Sequence, residues 1–308
     1  MGLGKAMKVL VAHTLPPKIG GSGRLPDEFD LSEAVDAVVS VLPGAVVRGM
    51  EGRDGEFSEV VAAVCPDVVF NLCEAPLGRP DLEPHAAALW ESLGVRFTGA
   101  RSHTLEMCRV KDRVKARLSE VGIAVPGVGT FPCLVKPAEE DGSAWIWRDS
   151  VCHGPEELHR ALGRIPSRAL VEEFIPGREF AVSLWGGNRP ECLSTGETVF
   201  GNGLELITYD AKWLPESNDY RDSPVSYDSE ICEGLRAALE GTAGRVWTAV
   251  GARGYLRVDL RLDGSGVPRV LDVNPNPALG RSGGIRAAAS AAGWTWERFV
   301  MAQVQWAC

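Results

Sequence analysis

The sequence predicts an α/β protein in which an N-terminal βαβ domain is followed by two lobes that mix helices and strands. The first hundred residues alternate apolar strand-like runs with helical patterns, which is typical of a parallel sheet covered by helices. The second half of the chain is mostly strand-like and contains a hairpin of alternating polar and apolar residues. With 308 residues, the chain is long enough for two or three packed units.

The N-terminal domain is predicted over residues 1–103. Its elements follow in the order strand, helix, strand, helix, strand over residues 9–12, 31–42, 67–72, 84–93 and 95–98. The helices show an amphipathic period, and the fourth element ends at Gly94, a residue that commonly terminates helices. A strand, a helix and a second strand in this order favour a Rossmann-like βαβ unit.

Two further lobes are predicted over residues 104–177 and 178–308. Their elements are a helix, three strands, a helix, a hairpin and a final helix pair, over residues 105–121, 133–137, 169–174, 179–185, 229–250, 255–274 and 284–305. The segment from 201 to 227 has no regular pattern, and a loop of that length in an enzyme often acts as a lid. We therefore expect a cleft that this lid covers.

Composition excludes several classes of protein. A formal net charge of −9 argues against a nucleic-acid partner, because such a partner requires a basic face. The eight cysteines are scattered, without zinc-like spacing, so we expect reduced thiols. No secretion signal and no apolar run of about 18 residues is recognisable, so we expect a cytoplasmic protein without a membrane-spanning segment.

Carboxylates face each other across the predicted hairpin. If the pairing is centred on the turn at residues 263–268, Asp259 lies opposite Asp272 and Arg257 lies opposite Asn274. All four side chains then share one face of the sheet. The same alternation places Val258, Leu260, Leu271 and Val273 on the opposite, core-facing side.

Two carboxylates in direct opposition repel each other unless a cation lies between them. Oxygen ligands from Asp259, Asp272 and the Asn274 amide suit a hard ion, Mg²⁺ or Mn²⁺, that also binds substrate phosphates. Arg257 beside them is suited to stabilise a developing oxyanion. A solvated hairpin face with charges of no function is the alternative that the hairpin alone leaves open.

Several sequence blocks besides the hairpin lie in the order typical of one family. They occupy residues 70–74, 97–99, 108–115, 122–126, 134–137, 171–180, 257–259 and 271–277. Together they resemble the ATP-grasp superfamily, specifically its D-alanine:D-alanine ligase branch, from about residue 66 to residue 308. The resemblance implies an ATP-grasp fold in which ATP lies between two β-rich lobes.

The resemblance also implies a set of nucleotide-binding residues: Lys111, Lys136, Glu172, Glu173, Ile175, Glu179 and Lys212. The lysines would contact the phosphates, because a lysine ammonium is a compact charge suited to that task. Glu172 would accept a hydrogen bond from the adenine amino group, beside the backbone of Glu173 and Ile175. Glu179 would bind the ribose hydroxyls.

For catalysis the resemblance implies Arg257, the lid residue Lys212 and Ser143 of a phosphate-covering loop at residues 139–146. For metal binding it implies Asp259, Asp272 and Asn274. Some of these positions also allow simpler interpretations. Lys111 and Lys115 are four residues apart on a helix and could form a solvated face. Glu172 and Glu179 could be exposed strand residues. Lys136 is harder to explain that way, because a lysine in an apolar strand requires an anionic partner.

The chain departs from the family at several positions. Trp145 stands in the phosphate-covering loop where a small residue is usual, and the shorter Asp272 replaces the common Glu. Trp213 stands at the place of a lid tyrosine, and Arg281, Ser282 and Gly283 replace the segment that holds the second substrate. We therefore expect a relative with a different acid, amine or both, and Arg281 near a helix N-terminus is a candidate anion anchor.

The implied activity is an ATP-dependent ligase that joins a small carboxylate to an amine through an acyl phosphate, releasing ADP and phosphate. The expected substrates are amino-acid-like, and the family analogy favours a homodimer. One alternative is a D-alanine:D-alanine ligase proper. Another, from a different class, is a nucleotide-binding module without ligase activity.

Overall fold

A computed structural model describes residues 7–16, 31–281 and 283–307 of the chain. Its strands are β1 (Val9–Thr14), β2 (Val46–Met50), β3 (Val68–Leu72), β4 (Cys133–Pro137), β5 (Val151–Cys152), β6 (Ala169–Glu173), β7 (Glu179–Gly186), β8 (Pro190–Thr198), β9 (Val225–Ser226), β10 (Gly254–Leu262) and β11 (Pro268–Asn274). Its helices are α1 (Ser32–Val39), α2 (Asp54–Val64), α3 (Glu83–Ser92), α4 (Ser102–Arg109), α5 (Lys111–Glu120), α6 (Pro155–Leu162), α7 (Tyr209–Trp213), α8 (Asn218–Arg221), α9 (Glu233–Val250), α10 (Gly284–Ala291) and α11 (Trp296–Ala307). The predicted α/β class is confirmed.

The N-terminal sheet is parallel, with strand order β2-β1-β3. Strand β1 is apolar on both faces because helices cover both faces of the sheet. Val9 and Val11 pack in the core that includes residues of α1 and α11, whereas Leu10 and Ala12 pack in the core that includes residues of α2 and α3. The prediction missed β2 and α2, and residues 95–98 form an isolated bridge between Val69 and Phe97 rather than a full strand.

The segment predicted as one helix over residues 105–121 is two helices. Val110 is extended, with φ −103° and ψ 99°, and separates α4 from α5. The backbone amide of Lys111 donates to the carbonyl of Ala138, at 2.9 Å, instead of continuing α4. This tertiary hydrogen bond is absent from the periodicity of the sequence, and it fixes the start of α5 against the end of β4.

Two further sheets follow. One has the order β5-β4-β6, and the other has five strands in the order β11-β10-β7-β8-β9. Apolar side chains of α5 and α9 pack on one face of the five-stranded sheet, against alternate residues of β10 such as Val258 and Leu260. The opposite face of β10 therefore carries the polar residues between them. The predicted division of the chain at residues 103 and 177 stays a prediction.

The β10–β11 hairpin has the predicted register where the polar residues lie. Asp259 pairs with Asp272 and Arg257 with Asn274, and the register shifts by one residue between Asp259 and Leu260. The shift is a bulge that leaves Leu271 only half-buried, whereas the sequence placed it in the core. Among the described residues, no helix is long and apolar enough to cross a membrane.

Candidate active site

A cavity lies where the start of α5, the end of β4, the loop after it, α7 and the β10–β11 hairpin meet. Its lining consists of Lys111, Lys136, Pro137, Glu140, Asp141, Gly142, Ser143, Ile146, Lys212, Arg257, Asp259 and Asp272. Segments more than 100 residues apart in sequence thus bring together cationic and anionic groups. Lysines from three separate elements face carboxylates from the hairpin.

The carboxylate wall of the cavity is formed by Asp259 and Asp272. Arg257 binds Asp259 with two hydrogen bonds, from Nε and Nη2, each 2.8 Å long. Burial acts to raise the pKa of Asp272, but the nearby ammonium groups, led by those of Lys111 and Lys136, outweigh it and lower the pKa. Asp259 is therefore paired with Arg257, and cationic side chains stabilise the ionised form of Asp272.

The hairpin offers two carboxylates and one amide to a metal ion. Asn274 lies two residues beyond Asp272, and its side-chain oxygen accepts a hydrogen bond from the backbone amide of Asn276 at 2.9 Å. Among the described residues, no group of three or more His, Cys, Asp or Glu side chains could hold a metal. The donor set fits Mg²⁺, which is commonly bound through one or two carboxylates together with substrate phosphates and water.

A buried ion triad forms the lysine wall. Glu172 is 2% exposed and contacts the ammonium groups of both Lys115 and Lys136, the latter at 2.6 Å. Burial acts to raise the pKa of Glu172, but the two lysines outweigh it, so the pKa is lowered. Burial and the neighbouring Lys136 lower the pKa of Lys115 to about 8. Lys115 is therefore a buried partner of Glu172 and not part of a solvated helix face.

Lys111 is likewise buried, at 5% exposure. Its ammonium donates to the Glu140 carbonyl at 2.5 Å and to the Asp141 carboxylate at 3.0 Å. Burial acts to lower its pKa, but Asp272 and Asp141 outweigh burial and raise it. The side chain is thus a cation in contact with the loop that covers the cavity, as its position at the first residue of α5 permits.

Helix α7 closes over the cavity within the segment predicted as a lid. The Trp213 indole donates to the Gly142 carbonyl at 2.7 Å, and the Tyr209 amide donates to the Ile146 carbonyl at 2.9 Å. Burial and the nearby Arg257 guanidinium lower the pKa of Lys212 to about 8. Two hydrogen bonds therefore hold α7 against the loop at residues 139–146, and Lys212 of α7 lines the cavity.

The loop at residues 139–146, predicted to cover phosphate, accommodates Trp145 without filling the cavity. Trp145 has φ 59° and is 41% exposed, and its ring packs edge-on against Trp147 at 5.9 Å. Ser143 has φ 57° and lines the cavity. The positive φ of Trp145 is a conformation that glycine adopts without strain and that other residues rarely adopt.

The other predicted adenine and ribose residues, Glu173, Ile175 and Glu179, are not among the residues that line the cavity. The Glu173 carboxylate accepts from the Gly127 amide at 3.0 Å. The carbonyl of Ile175 and the carboxylate of Glu179 both accept from Arg261, each at 2.7 Å. Arg261 was not predicted as a site residue, although its spacing from Arg257 and Asp259 places all three on one face of β10.

A second group of acids, which was not predicted, consists of Glu74 after β3 and Glu83 at the start of α3. The Glu83 carboxylate accepts a hydrogen bond from the side-chain amide nitrogen of Asn276 at 2.6 Å. The side-chain oxygen of Asn276 accepts one from the Tyr255 hydroxyl at 2.8 Å. Burial raises the pKa of Glu74 to about 7, and burial together with Glu74 raises the pKa of Glu83. An acid at the end of an apolar strand, as at Glu74, was the available sequence signal.

The predicted substrate-side residues are only partly described. The Arg281 amide donates to the Glu33 carboxylate at 2.5 Å, its side chain is exposed, and it is not among the residues that line the cavity. Gly283 is the N-cap residue of α10, so Arg281 lies near a helix N-terminus, as expected. Ser282 lies outside the described residues.

Comparison with known proteins identifies the family. Residues 103–305 match the family described as D-ala D-ala ligase C-terminus. The uncharacterized protein y4sG of Sinorhizobium fredii (strain NBRC 101917 / NGR234) is 31% identical, with 89% of this chain and 87% of that protein covered. A D-alanine–D-alanine ligase of Caulobacter sp. (strain K31) is 28% identical, with 95% and 93% covered.

A solved structure shares the fold. The crystal structure of D-alanine–D-alanine ligase from Bacillus anthracis complexed with ATP superposes with a TM-score of 0.72, at 17% identity, covering 98% of this chain and 97% of that one. The predicted resemblance and the ATP-grasp fold are thereby confirmed. Because this family match spans well over half of the chain, the chain belongs to the D-ala D-ala ligase C-terminus family.

Proposed function

We propose that the chain, a D-alanine–D-alanine ligase-like ATP-grasp protein, is an ATP-dependent ligase that joins a carboxylate to an amine. The carboxylate attacks the γ-phosphate of ATP to give an acyl phosphate and ADP. The amine then attacks the activated carbonyl and releases phosphate. The observation that carries this proposal is the cavity in which Lys111, Lys136 and Lys212 face Asp259 and Asp272.

The proposal assigns the cavity to the phosphates of ATP. Lys111 and Lys136 bind them from one side, and Asp259, Asp272 and Asn274 would hold Mg²⁺ on the other. An ion held there would supply positive charge that offsets the charge of the phosphates. When ATP binds, the Lys111 ammonium exchanges its hydrogen bonds to the Glu140 carbonyl and the Asp141 carboxylate for bonds to phosphate oxygens. The triphosphate carries more negative charge than either acceptor and is therefore preferred.

The same proposal assigns the other residues their roles. Arg257 stabilises the oxyanion formed when the amine attacks, and Ser143 binds phosphate from the covering loop. Lid closure over Lys212 keeps water from the acyl phosphate. Glu172, Glu173, Ile175 and Glu179 form the nucleoside end of the site. Because both lysines already occupy its carboxylate, Glu172 acts by positioning Lys136 in addition to any contact with adenine.

The substrates are amino-acid-like. D-alanine is the first to test, because a relative that covers 95% of the chain is named D-alanine–D-alanine ligase. The altered lid residue Trp213 and the segment around Arg281 favour a different acid or amine. A homodimer, a cytoplasmic location and three domains at the predicted boundaries complete the proposal.

The test is amine-dependent ADP release. Pairs of amino acids of both configurations are incubated with Mg·ATP, and ADP is measured with and without the amine. We expect at least one pair to give amine-dependent ADP, and Asp259→Asn to abolish it while the fold is retained. ADP release in Asp259→Asn at the wild-type rate would remove Asp259 from the metal site, and ATP binding without turnover for any pair would favour a module without ligase activity.

A further inference from the structure

Arg261 on β10 is the most completely paired arginine near the proposed nucleoside end. It is 3% exposed. Its guanidinium donates from Nε to Glu179 and from Nη1 to the Ile175 carbonyl, each at 2.7 Å, and from Nη2 to the Glu205 carbonyl. Three acceptors from three segments are therefore gathered by one planar group.

Aromatic rings complete the surroundings of the guanidinium. Its central carbon lies 5.1 Å from the ring centre of Phe174 and 5.2 Å from that of Phe200. A buried charge is tolerated only when it is paired and hydrogen-bonded, and cation–π contacts add to that stabilisation. The Arg261 side chain is thus held in one position, and its hydrogen bonds hold Glu179 and the Ile175 and Glu205 carbonyls in place.

Two of those groups are the ones that the proposed function assigns to the nucleoside. Glu179 is the proposed ribose ligand, and Ile175 belongs to the proposed adenine hinge. Arg261 occupies Oε2 of Glu179, whereas Oε1 accepts no hydrogen bond from any residue within the described ranges. One carboxylate oxygen is thereby held in a fixed direction and remains available to a hydroxyl donor.

We propose that Arg261 is a positioning residue that makes the nucleotide site selective for nucleosides with ribose hydroxyls. The inference rests on the proposed function and adds to it a specificity determinant. Arg261 fixes Glu179 and the Ile175 carbonyl relative to each other, so the free oxygen of Glu179 meets the ribose when the base is seated at the hinge. A lysine cannot replace it, because a single ammonium lacks the planar fork that spans these acceptors.

The contact with the Glu205 carbonyl extends this role toward the lid. Residue 205 lies between β8 and α7, in the segment that leads to Lys212. The guanidinium therefore also attaches the approach to the lid to the nucleoside end. Loss of Arg261 releases the hinge, the ribose ligand and the lid approach together.

The experiment measures discrimination between two nucleotides. The dissociation constants of Mg·ATP and Mg·2′,3′-dideoxy-ATP are determined by calorimetry for the wild type, Arg261→Met, Arg261→Lys and Arg269→Met. Arg269 is the matched control, because it lies on the same hairpin and binds one carboxylate, of Asp263, and one carbonyl, of Val125. Melting temperatures show whether each variant is folded.

We expect the wild type and Arg269→Met to prefer ATP by about tenfold or more, since a hydrogen bond to a charged group is lost with the hydroxyls. In Arg261→Lys and Arg261→Met the preference should fall to about twofold or less, with a weaker affinity for ATP. If Arg261→Met does not fold, Arg261→Lys carries the comparison.

The outcomes separate this inference from the proposed function. A wild type that binds ATP, with the same preference in both Arg261 variants as in Arg269→Met, overturns the role of Arg261 alone. A wild type that binds neither nucleotide contradicts the nucleotide site and, with it, this role. A preference that collapses only in the Arg261 variants supports both.

Discussion

Removal of the negative charge of Glu172 tests whether the buried triad is a structural unit of the site. Glu172→Gln leaves Lys115 and Lys136 adjacent, with side-chain exposures of 8% and 7% and no carboxylate between them. Loss of one partner from a buried ion pair destabilises a protein by about 3–5 kcal/mol. Such a loss lowers the melting temperature by on the order of 10 °C for a chain of this size.

The assay is thermal unfolding followed by circular dichroism at pH 7, with two reference variants. Glu197→Gln removes the carboxylate from the pair that Glu197 makes with the 43% exposed Arg178, and it should cost about 1 kcal/mol or less. Lys115→Met should cost less than Glu172→Gln, because Glu172 still pairs with Lys136. Glu172→Gln with a wild-type melting temperature and a lost affinity for ATP would refute the structural role and favour a direct adenine contact.

Two further perturbations probe the lid and the acid group. Trp213→Phe removes the hydrogen bond to Gly142, worth about 1 kcal/mol, so amine-independent ADP release should rise severalfold, whereas Trp145→Phe, on an exposed ring, should leave it unchanged. Burial raises the pKa of Glu74 from 4.5 to about 7, so the folded state favours the protonated side chain. That contribution to stability is complete below pH 4.5 and is lost as the pH rises through 7. Glu74→Gln should therefore gain stability over the wild type between pH 5 and pH 8, by up to about 3 kcal/mol. A melting-temperature difference that does not vary with pH would contradict the buried position of Glu74.

The hairpin shows how far the sequence determines the site. Its turn residues and alternating pattern were enough to pair Asp259 with Asp272 and Arg257 with Asn274. These pairings follow from the position of the turn and from the alternation of polar and apolar residues, and both can be read in the sequence. The bulge at Leu271 arises where the outer part of the hairpin is paired one residue out of register, and no residue type marks that shift.

The lysine wall could be predicted only in part. Lys136 was assigned to a buried anionic partner because it stands in an apolar strand, and Glu172 is that partner. Lys115 looked like a solvated residue, since a spacing of four residues on a helix is common on exposed faces. Its burial follows from the break at Val110 and the docking of α5, which are tertiary effects.

Arg261 and Glu74 mark the limit of reasoning from the sequence. Arg261 could be placed on the polar face of β10, but its three acceptors come from segments far apart in the chain. Glu74 could be placed at the end of a strand, but its raised pKa depends on burial by the rest of the fold. Such groups are found from the structure because distance along the chain hides their partners.

The transfer of oxygen from the acid substrate to phosphate tests the proposed chemistry most directly. The acid is labelled with ¹⁸O in its carboxylate, and the inorganic phosphate released with the amide is analysed by mass spectrometry. We expect one labelled oxygen in each phosphate, because the amine attacks the carbonyl carbon and leaves the bridging oxygen on phosphorus. Label found in AMP, or phosphate without label, would contradict an acyl phosphate formed in this cavity.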